Sequence, residues 1–270
     1  MKDMVVGAAS GYDWAKISSW ANSLDQCGFT GHKVILYYGW DQDFIRRATK
    51  RGYQVVGCSQ REKTVHVDRF LKLALHLSTH NVVVNRVMIT DTRDIIFQGN
   101  PSDWLDENLT GAQQLCAVTE GIRYQDEPWG SGNVLAGFGP IWLKQLADKV
   151  IVNAGCICGY QADMDRLFWA LVQLASSAAI PLADQSALNV LLADPEWAQR
   201  IRIFEPDAGL CANLGTLAVD EFKPKLVSPQ PTWDDKGVVF TSEGKPFILV
   251  HQYDRIPGLK EKIWNKYWEA

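Results

Sequence analysis

The stretch Val87-Met88-Ile89-Thr90-Asp91-Thr92-Arg93-Asp94-Ile95-Ile96-Phe97-Gln98 sets two carboxylates and a guanidinium between two apolar runs. The first run reads as a buried strand, and acids at the C-terminal end of a parallel strand lie where open α/β sheets bind their ligands. Asp91 and Asp94 can share one turn and hold a divalent cation, which would offset the charge of a diphosphate. The chemistry implied is the handling of a nucleotide-sugar or another phosphate-bearing ligand; the plainer alternative is a solvated turn after a core strand. If extended geometry persists through Arg93, Asp91 and Arg93 share a face, and Asp94 points away unless the chain turns there. Arg93 would then clamp a diphosphate or pair with an acid.

Three further groupings carry chemical potential. His251 ends the apolar run Pro246-Phe247-Ile248-Leu249-Val250, where its neutral nitrogen could ligate a divalent metal held by the Asp91 turn; taken alone, a histidine beside a strand is more often structural. Asp184-Gln185, followed by Ser186 and Asn189, opens a helix; Asp184 either caps it or hydrogen-bonds a sugar hydroxyl from the helix N-terminus. The small residues of Asn153-Ala154-Gly155-Cys156-Ile157-Cys158-Gly159 would let backbone approach a ligand, or else pack a strand tightly on a helix. The glycine-rich segment 129–140 has no Gly-Lys-Ser/Thr and does not open a first helix, so it reads as a flexible or substrate-adapted loop. His76 and His80 are spaced i,i+4 but lack the glutamate of a zinc protease, and read as part of a helix end.

The elements that must position these residues alternate strand and helix. Strand patterns cover 4–10, 33–38, 53–57 and 85–90, and helical patterns cover 12–26, 41–51 and 67–77. That order predicts a doubly wound, mostly parallel α/β sheet flanked by helices. Beyond it, 115–119 reads as a strand, Pro140 opens a helix through Val150, and 151–159 is apolar and small. Residues 163–179 and 184–192 read as helices, 201–204 and 247–252 as short strands, and 223–233 as loop. No repeat or linker interrupts the chain, so a single domain over 1–270 is expected, with a nucleotide-binding half at about 1–110 and an acceptor-side half at about 111–270.

Composition narrows the classes. A net charge of −4 without a basic stripe argues against nucleic acid as a partner. The cysteines Cys27, Cys58, Cys116, Cys156, Cys158 and Cys211 form no CxxC pair, which fits reduced thiols in a cytosolic protein better than a zinc site. Residues 4–9 are too short for a signal-peptide core, and 167–183 is too polar to span a membrane, so no transmembrane segment is expected. The sequon at Asn108 carries no weight without a secretory signal. Residues 260–268 mix lysines with aromatics, leaving peripheral membrane contact open, though a plain terminal helix packed by Trp264 and Trp268 is the preferred reading.

Taken in order, Thr90–Gln98, Asn153-Ala154-Gly155, Asp184-Gln185 and His251-Gln252-Tyr253 resemble the motifs of GT-A fold glycosyltransferases, most of all the small bacterial and viral enzymes that build surface glycans. The resemblance implies that Asp91 and Asp94 contact the ribose and a manganese or magnesium ion, and that His251 completes the metal and diphosphate site. It implies that Arg69 meets the nucleotide, the alternative being an ion pair with Asp68 or Glu62. Ser10 and Tyr12 would seat the base, commonly uracil. Asn153 and Gln185 belong to the matching donor-binding segments, and Asp184 would lie at the donor sugar and reacting centre. The family's motif is Asp-any-Asp, whereas here Arg93 intervenes and could neutralise phosphate itself; a metal remains the expectation.

The implied activity is transfer of a hexosyl or deoxyhexosyl unit from a nucleotide-diphosphate donor, UDP-linked by resemblance, to a hydroxyl of a glycan or lipid-linked glycan in polysaccharide biosynthesis. Asp184 would be the base if the reaction inverts, or would position the sugar if it retains. A nucleotidyltransferase acting on sugar phosphates is the enzymatic rival, but 7–12 carries no basic residue of the kind its first loop would need. A non-catalytic sugar-binding protein on the same fold is the other, and intact Asp91, Asp94 and His251 argue against it.

Overall fold

Apolar residues alternate between two faces along the first strand, and that alternation builds the molecule's layers. The computed structural model describes residues 1–79 and 82–269; His80 of the 76/80 pair lies outside the described residues. In the first half, β1 (Met4–Ser10), α1 (Trp14–Gln26), β2 (His32–Tyr38), α2 (Gln42–Lys50), β3 (Gln54–Gly57), α3 (Val65–Thr79) and β4 (Arg86–Thr90) follow in turn. Met4 and Val6 of β1 pack into one core layer with Phe70, Leu73 and Phe168, while Val5 and Ala9 pack into the opposite layer with Ile17, Trp20 and Phe44. A strand buried on both faces needs helices on both sides, as the sequence pattern predicts.

The chain continues through β5 (Ile95–Phe97), α4 (Pro101–Asn108), β6 (Leu115–Arg123), α5 (Pro128–Phe138), α6 (Pro140–Leu146), β7 (Val150–Tyr160), α7 (Gln161–Ser177) and α8 (Asp184–Leu192). After α9 (Pro195–Arg200) come β8 (Ile201–Phe204), β9 (Cys211–Asn213), β10 (Thr232–Trp233), β11 (Val239–Phe240), β12 (Leu249–His251) and α10 (Leu259–Tyr267). The main sheet has seven strands in the order β3-β2-β1-β4-β7-β6-β8, with β7 antiparallel to both neighbours and the remaining pairs parallel. β7 runs against the rest because α5 and α6 turn the chain back at the edge where β6 ends, so that Arg123 pairs with Val150. A small second sheet, β5-β12-β9, pairs β12 antiparallel to β5 and parallel to β9.

Two expectations are overturned. The glycine-rich segment is not a loop but the helix α5. Pro128 sits in its first turn, the Glu127 carboxylate accepts hydrogen bonds from the Trp129 and Gly130 amides, and Gly139 ends it at φ 89°. These end signals outweigh the poor helix propensity of its glycines. At the C-terminus, α10 is packed by Leu259, Ile263 and Tyr267, whereas Trp264 and Trp268 stack on each other at the surface with ring centroids 6.2 Å apart. Among the described residues no helix is long and apolar enough to cross a membrane.

Just before β1, the buried Asp3 carboxylate ties three elements together. It accepts from the Arg86 amide (3.1 Å), Nε (3.0 Å) and Nη2 (2.7 Å) and from Ser102 Oγ (2.6 Å), joining β1 and β4 to the start of α4. Burial alone would raise its pKa, but Arg86, Ser102 and Asn85 hold it below the ordinary 3.8. Asp3→Ala would leave Arg86 only the exposed Asp106 carboxylate (2.7 Å) and Ser102 O, and is expected to lower unfolding stability by about 2 kcal/mol in urea denaturation at neutral pH. With the folded pKa depressed, the Asp3 contribution is present above about pH 4 and is lost as the pH falls through the folded value. The gap between wild type and variant should therefore narrow on acidification, and a constant gap would contradict this assignment.

Candidate functional site

The strand β4 stops at Thr90, and residues 91–94 form a bend before β5 begins. The chain therefore turns where extended geometry would have sent Asp94 away. Three backbone-anchored bonds fix the bend: the Asp91 amide donates to Gly155 O (2.9 Å), Thr92 Oγ1 to Ala8 O (2.8 Å), and the Gln252 amide to Asp94 O (2.7 Å). His251 reaches the same point because β12 pairs with β5 in a register that sets His251 opposite Ile95. One ligand atom from each of Asp91, Asp94 and His251 lies within 4.8 Å of the others. His251 Nε2 is 3.3 Å from Asp91 Oδ2 and 3.8 Å from Asp94 Oδ1.

The donor set suits a divalent cation. His251 is 1% exposed, and its Nδ1 lies 3.0 Å from Asn213 Oδ1. Its Nε2 is buried and makes no directed hydrogen bond, although it faces both carboxylates. Two carboxylate oxygens and one imidazole nitrogen form a donor set compatible with manganese or magnesium. Burial disfavours a protonated His251, but Asp91 and Asp94 outweigh it and hold its pKa above the ordinary 6.5. Burial likewise pushes the Asp91 pKa up, but Arg69 and His251 hold it well below the carboxylate range. Both carboxylates thus draw positive charge to one point.

Of the three arginines at the site, two are already paired. Arg69, on α3, is buried and bonds Asp91 Oδ1, Ala154 O (3.0 Å) and Asp184 Oδ2 (3.3 Å). It does not pair with Asp68, whose carboxylate accepts from the Arg61 and Glu62 amides. Arg93 pairs with Asp94 through Oδ2 (3.3 Å), the oxygen other than the one nearest His251, and with Asp254 Oδ2 (3.5 Å). Arg255 is exposed, lines the cleft, and makes no ion pair among the described residues. The sequence reading missed it, although it lies four residues after His251. Among the described residues Asp91, Asp94, Asp184 and Asp254 are met by Arg69, Arg93 and His251, so a bare diphosphate would enter a site already carrying several carboxylates.

The cleft has two lobes that share His66, Arg69, Asp91, Gln252 and Arg255. One, of about 270 Å³, holds Ser10 and Tyr12 beside Asp91–Asp94; the other, of about 540 Å³, holds Glu120, Trp129, Asn153, Asp184 and Gln185. Every expected site residue therefore borders one cleft. Asp184 is not the N-cap of α8, a place taken by Ala183; it is the first helical residue, and its carboxylate pairs with Arg69. Asn153 is already committed, accepting from the Gly155 amide (2.6 Å) and donating to Glu120 Oε1 (2.7 Å). Gln185 Oε1 accepts from the Ala154 amide (3.3 Å).

Glu120 is a second residue the sequence reading missed. The rule that singled out Asp91 also fits it, since it follows the apolar run Leu115-Cys116-Ala117-Val118 near the end of β6. Burial raises its pKa, the Asn153 hydrogen bond opposes this, and the nearby Glu127 charge raises it further. Gln252, beside His251, has φ 60° and is the one non-glycine residue with positive φ among those described. Such strain persists where surrounding bonds impose it, here the Gly215 amide donating to Gln252 Oε1 (3.0 Å).

Gly155 shows how closely the site is packed. A Cβ there would overlap the His251 ring and lie 2.9 Å from Asp91 Oδ2 and 2.8 Å from Asn153 Oδ1. Gly155→Ala is expected to displace His251 and Asp91 and so to weaken any divalent-cation binding at the cluster by at least about tenfold, read by calorimetric titration with Mn²⁺. Unchanged affinity in a folded variant would show that the ligand cluster tolerates the shift.

No protein-family model and no curated protein matches the sequence. Among solved structures, the apo-form glycosyltransferase GlyE of Streptococcus pneumoniae TIGR4 is similar with a TM-score of 0.56 at 18% identity, over 93% of this chain and 54% of GlyE. A further GlyE structure gives a TM-score of 0.56 at 18% identity, over 99% of this chain and 57% of GlyE. The chain thus spans little more than half the length of the protein it matches. Its mixed α/β architecture, a mostly parallel seven-stranded sheet flanked by helices, matches the fold of that glycosyltransferase.

Proposed function

We propose that the chain is a GT-A type glycosyltransferase that moves a hexosyl or deoxyhexosyl unit from a UDP-sugar to a hydroxyl of a glycan or lipid-linked glycan, in polysaccharide biosynthesis. The observation that carries this reading is the Asp91, Asp94 and His251 cluster standing where two lobes of one cleft meet. The two lobes suit a single catalytic domain: Ser10, Tyr12 and the Asp91 bend come from the first half, and the residues of the larger lobe come mostly from the second. Free cysteines are compatible with a cytoplasmic setting.

In this reading Ser10 and Tyr12 seat the base, and Asp91, Asp94 and His251 hold manganese or magnesium. The bound ion would neutralise charge developing on the departing diphosphate. Arg255, unpaired and shared by both lobes, adds a charge-assisted hydrogen bond to the phosphates. Asp184 is held by Arg69, which suits it to positioning the donor sugar rather than to accepting a proton. Glu120, held by Asn153 in the larger lobe with its pKa raised, takes the acceptor hydroxyl and serves as base if the reaction inverts.

Calorimetric titration with UDP and GDP, each with and without Mn²⁺, tests the reading. UDP binding that requires Mn²⁺ and disappears in Asp91→Ala is expected. Metal-independent UDP binding would shift the phosphate role to Arg255, and no nucleotide binding by folded protein would overturn the glycosyltransferase assignment. Arg255→Ala should weaken UDP binding by about tenfold or more, the worth of one charged hydrogen bond. If Glu120 is the base, Glu120→Gln should lower kcat by roughly a hundredfold or more with little change in donor KM, measured by initial rates of sugar transfer.

A further inference from the structure

We propose that Asn213 is a positioning residue that holds His251 in the tautomer and orientation a divalent cation needs. The inference rests on the metal-binding reading above and goes beyond it by assigning what prepares the nitrogen ligand. Asn213 and His251 are register partners in the parallel pair β9 and β12, so their side chains emerge side by side on one face. The contact between His251 Nδ1 and Asn213 Oδ1, at 3.0 Å, follows from that register.

The direction of the bond is set from the other end of the amide. Asn213 Nδ2 donates to Thr119 O at 3.0 Å, which fixes the amide nitrogen away from the imidazole and leaves its oxygen facing the ring. An amide oxygen carries no proton, so the proton of this bond belongs to His251 Nδ1. In the neutral ring the lone pair is then on Nε2, the atom that faces Asp91 and Asp94 and has no directed hydrogen bond. Histidines that bind metals characteristically have their second nitrogen fixed in this way.

Asn213 also references the histidine to the main sheet. Thr119 lies on β6, whereas Asn213 and His251 lie in the small sheet, so the amide bridges the two. A second tie runs parallel to it, with Thr216 Oγ1 donating to Glu120 O at 3.2 Å. His251 and Asn213 are 1% and 7% exposed, so water has little room to replace the amide if it is removed. Loss of the amide would leave Nδ1 without its acceptor and free the ring to turn.

The test uses the full chain and Mn²⁺ alone, followed by electron paramagnetic resonance titration, with nitrogen modulation of the Mn²⁺ signal reporting a bound imidazole. Asn213→Leu should weaken Mn²⁺ binding by about tenfold to a hundredfold and reduce the nitrogen modulation. Asn213→Asp, which still offers Nδ1–H an acceptor, should restore both to within about an order of magnitude of wild type. Asn213→Ala replaces the leucine variant if that one does not fold. Wild-type Mn²⁺ affinity and nitrogen modulation in folded Asn213→Leu or Asn213→Ala would overturn the positioning role while leaving the metal site intact. Failure of wild type to bind Mn²⁺ would overturn the metal site and this proposal together.

Discussion

Two carboxylates on one short bend, with limited access to water, must be met by positive charge, and most of the site is arranged around that requirement. Burying an anion without a partner is prohibitive, whereas one met by opposite charge and hydrogen bonds can persist. Asp91 and Asp94 recruit their partners from three separate places: Arg69 from α3, His251 from β12, and Arg93 from within the bend. Arg69 then reaches Asp184 and Ala154 O, so one guanidinium braces the bend, β7 and α8 together. The geometry of the larger lobe therefore depends on the charge at the end of β4. A change there would be felt across elements distant in sequence.

The antiparallel strand makes this convergence possible. Had a crossover helix returned the chain to the opposite edge, β7 would begin far from the bend. Because α5 and α6 turn back where β6 ends, the N-terminal half of β7 lies at the functional edge, and Gly155 O receives the Asp91 amide. Glycine is needed at that position since a side chain would enter the space of His251 and Asp91. The small sheet completes the arrangement by carrying β5 directly from the bend onto the strand that ends in His251. Sheet topology and ligand geometry are here one constraint.

Much of this was legible in the sequence, for reasons that differ by element. The strands of the first half are apolar runs set between amphipathic helices, a pattern that survives because both faces of each strand are buried. The gathering of Asp91, Asp184 and His251 at one cleft was legible because each acid or imidazole interrupts or ends such a pattern. The three-residue strands β5 and β9 were not, since three residues are too few to show a period. α5 was hidden by its glycines, which speak for a loop until Glu127, Pro128 and Gly139 are seen as end signals. Asn213 lies 38 residues before His251, and no local pattern announces a contact made by strand register.

Arg93 gives the last step. By resemblance to an Asp-any-Asp motif it stands where the second acid should be, and it could have taken the place of a cation. Its actual partners say otherwise. Arg93 is engaged by Asp94 and Asp254, so its charge is answered by carboxylates before any phosphate arrives. The bend that follows β4 brings Asp94 round to His251, and the side chain of Arg93 is left 45% exposed on the outer side. The intervening arginine thus steadies the second acid. With Arg69 also spent on Asp91 and Asp184, a diphosphate bound as proposed would owe its attraction to Arg255 and to the cation proposed for the two acids and the imidazole.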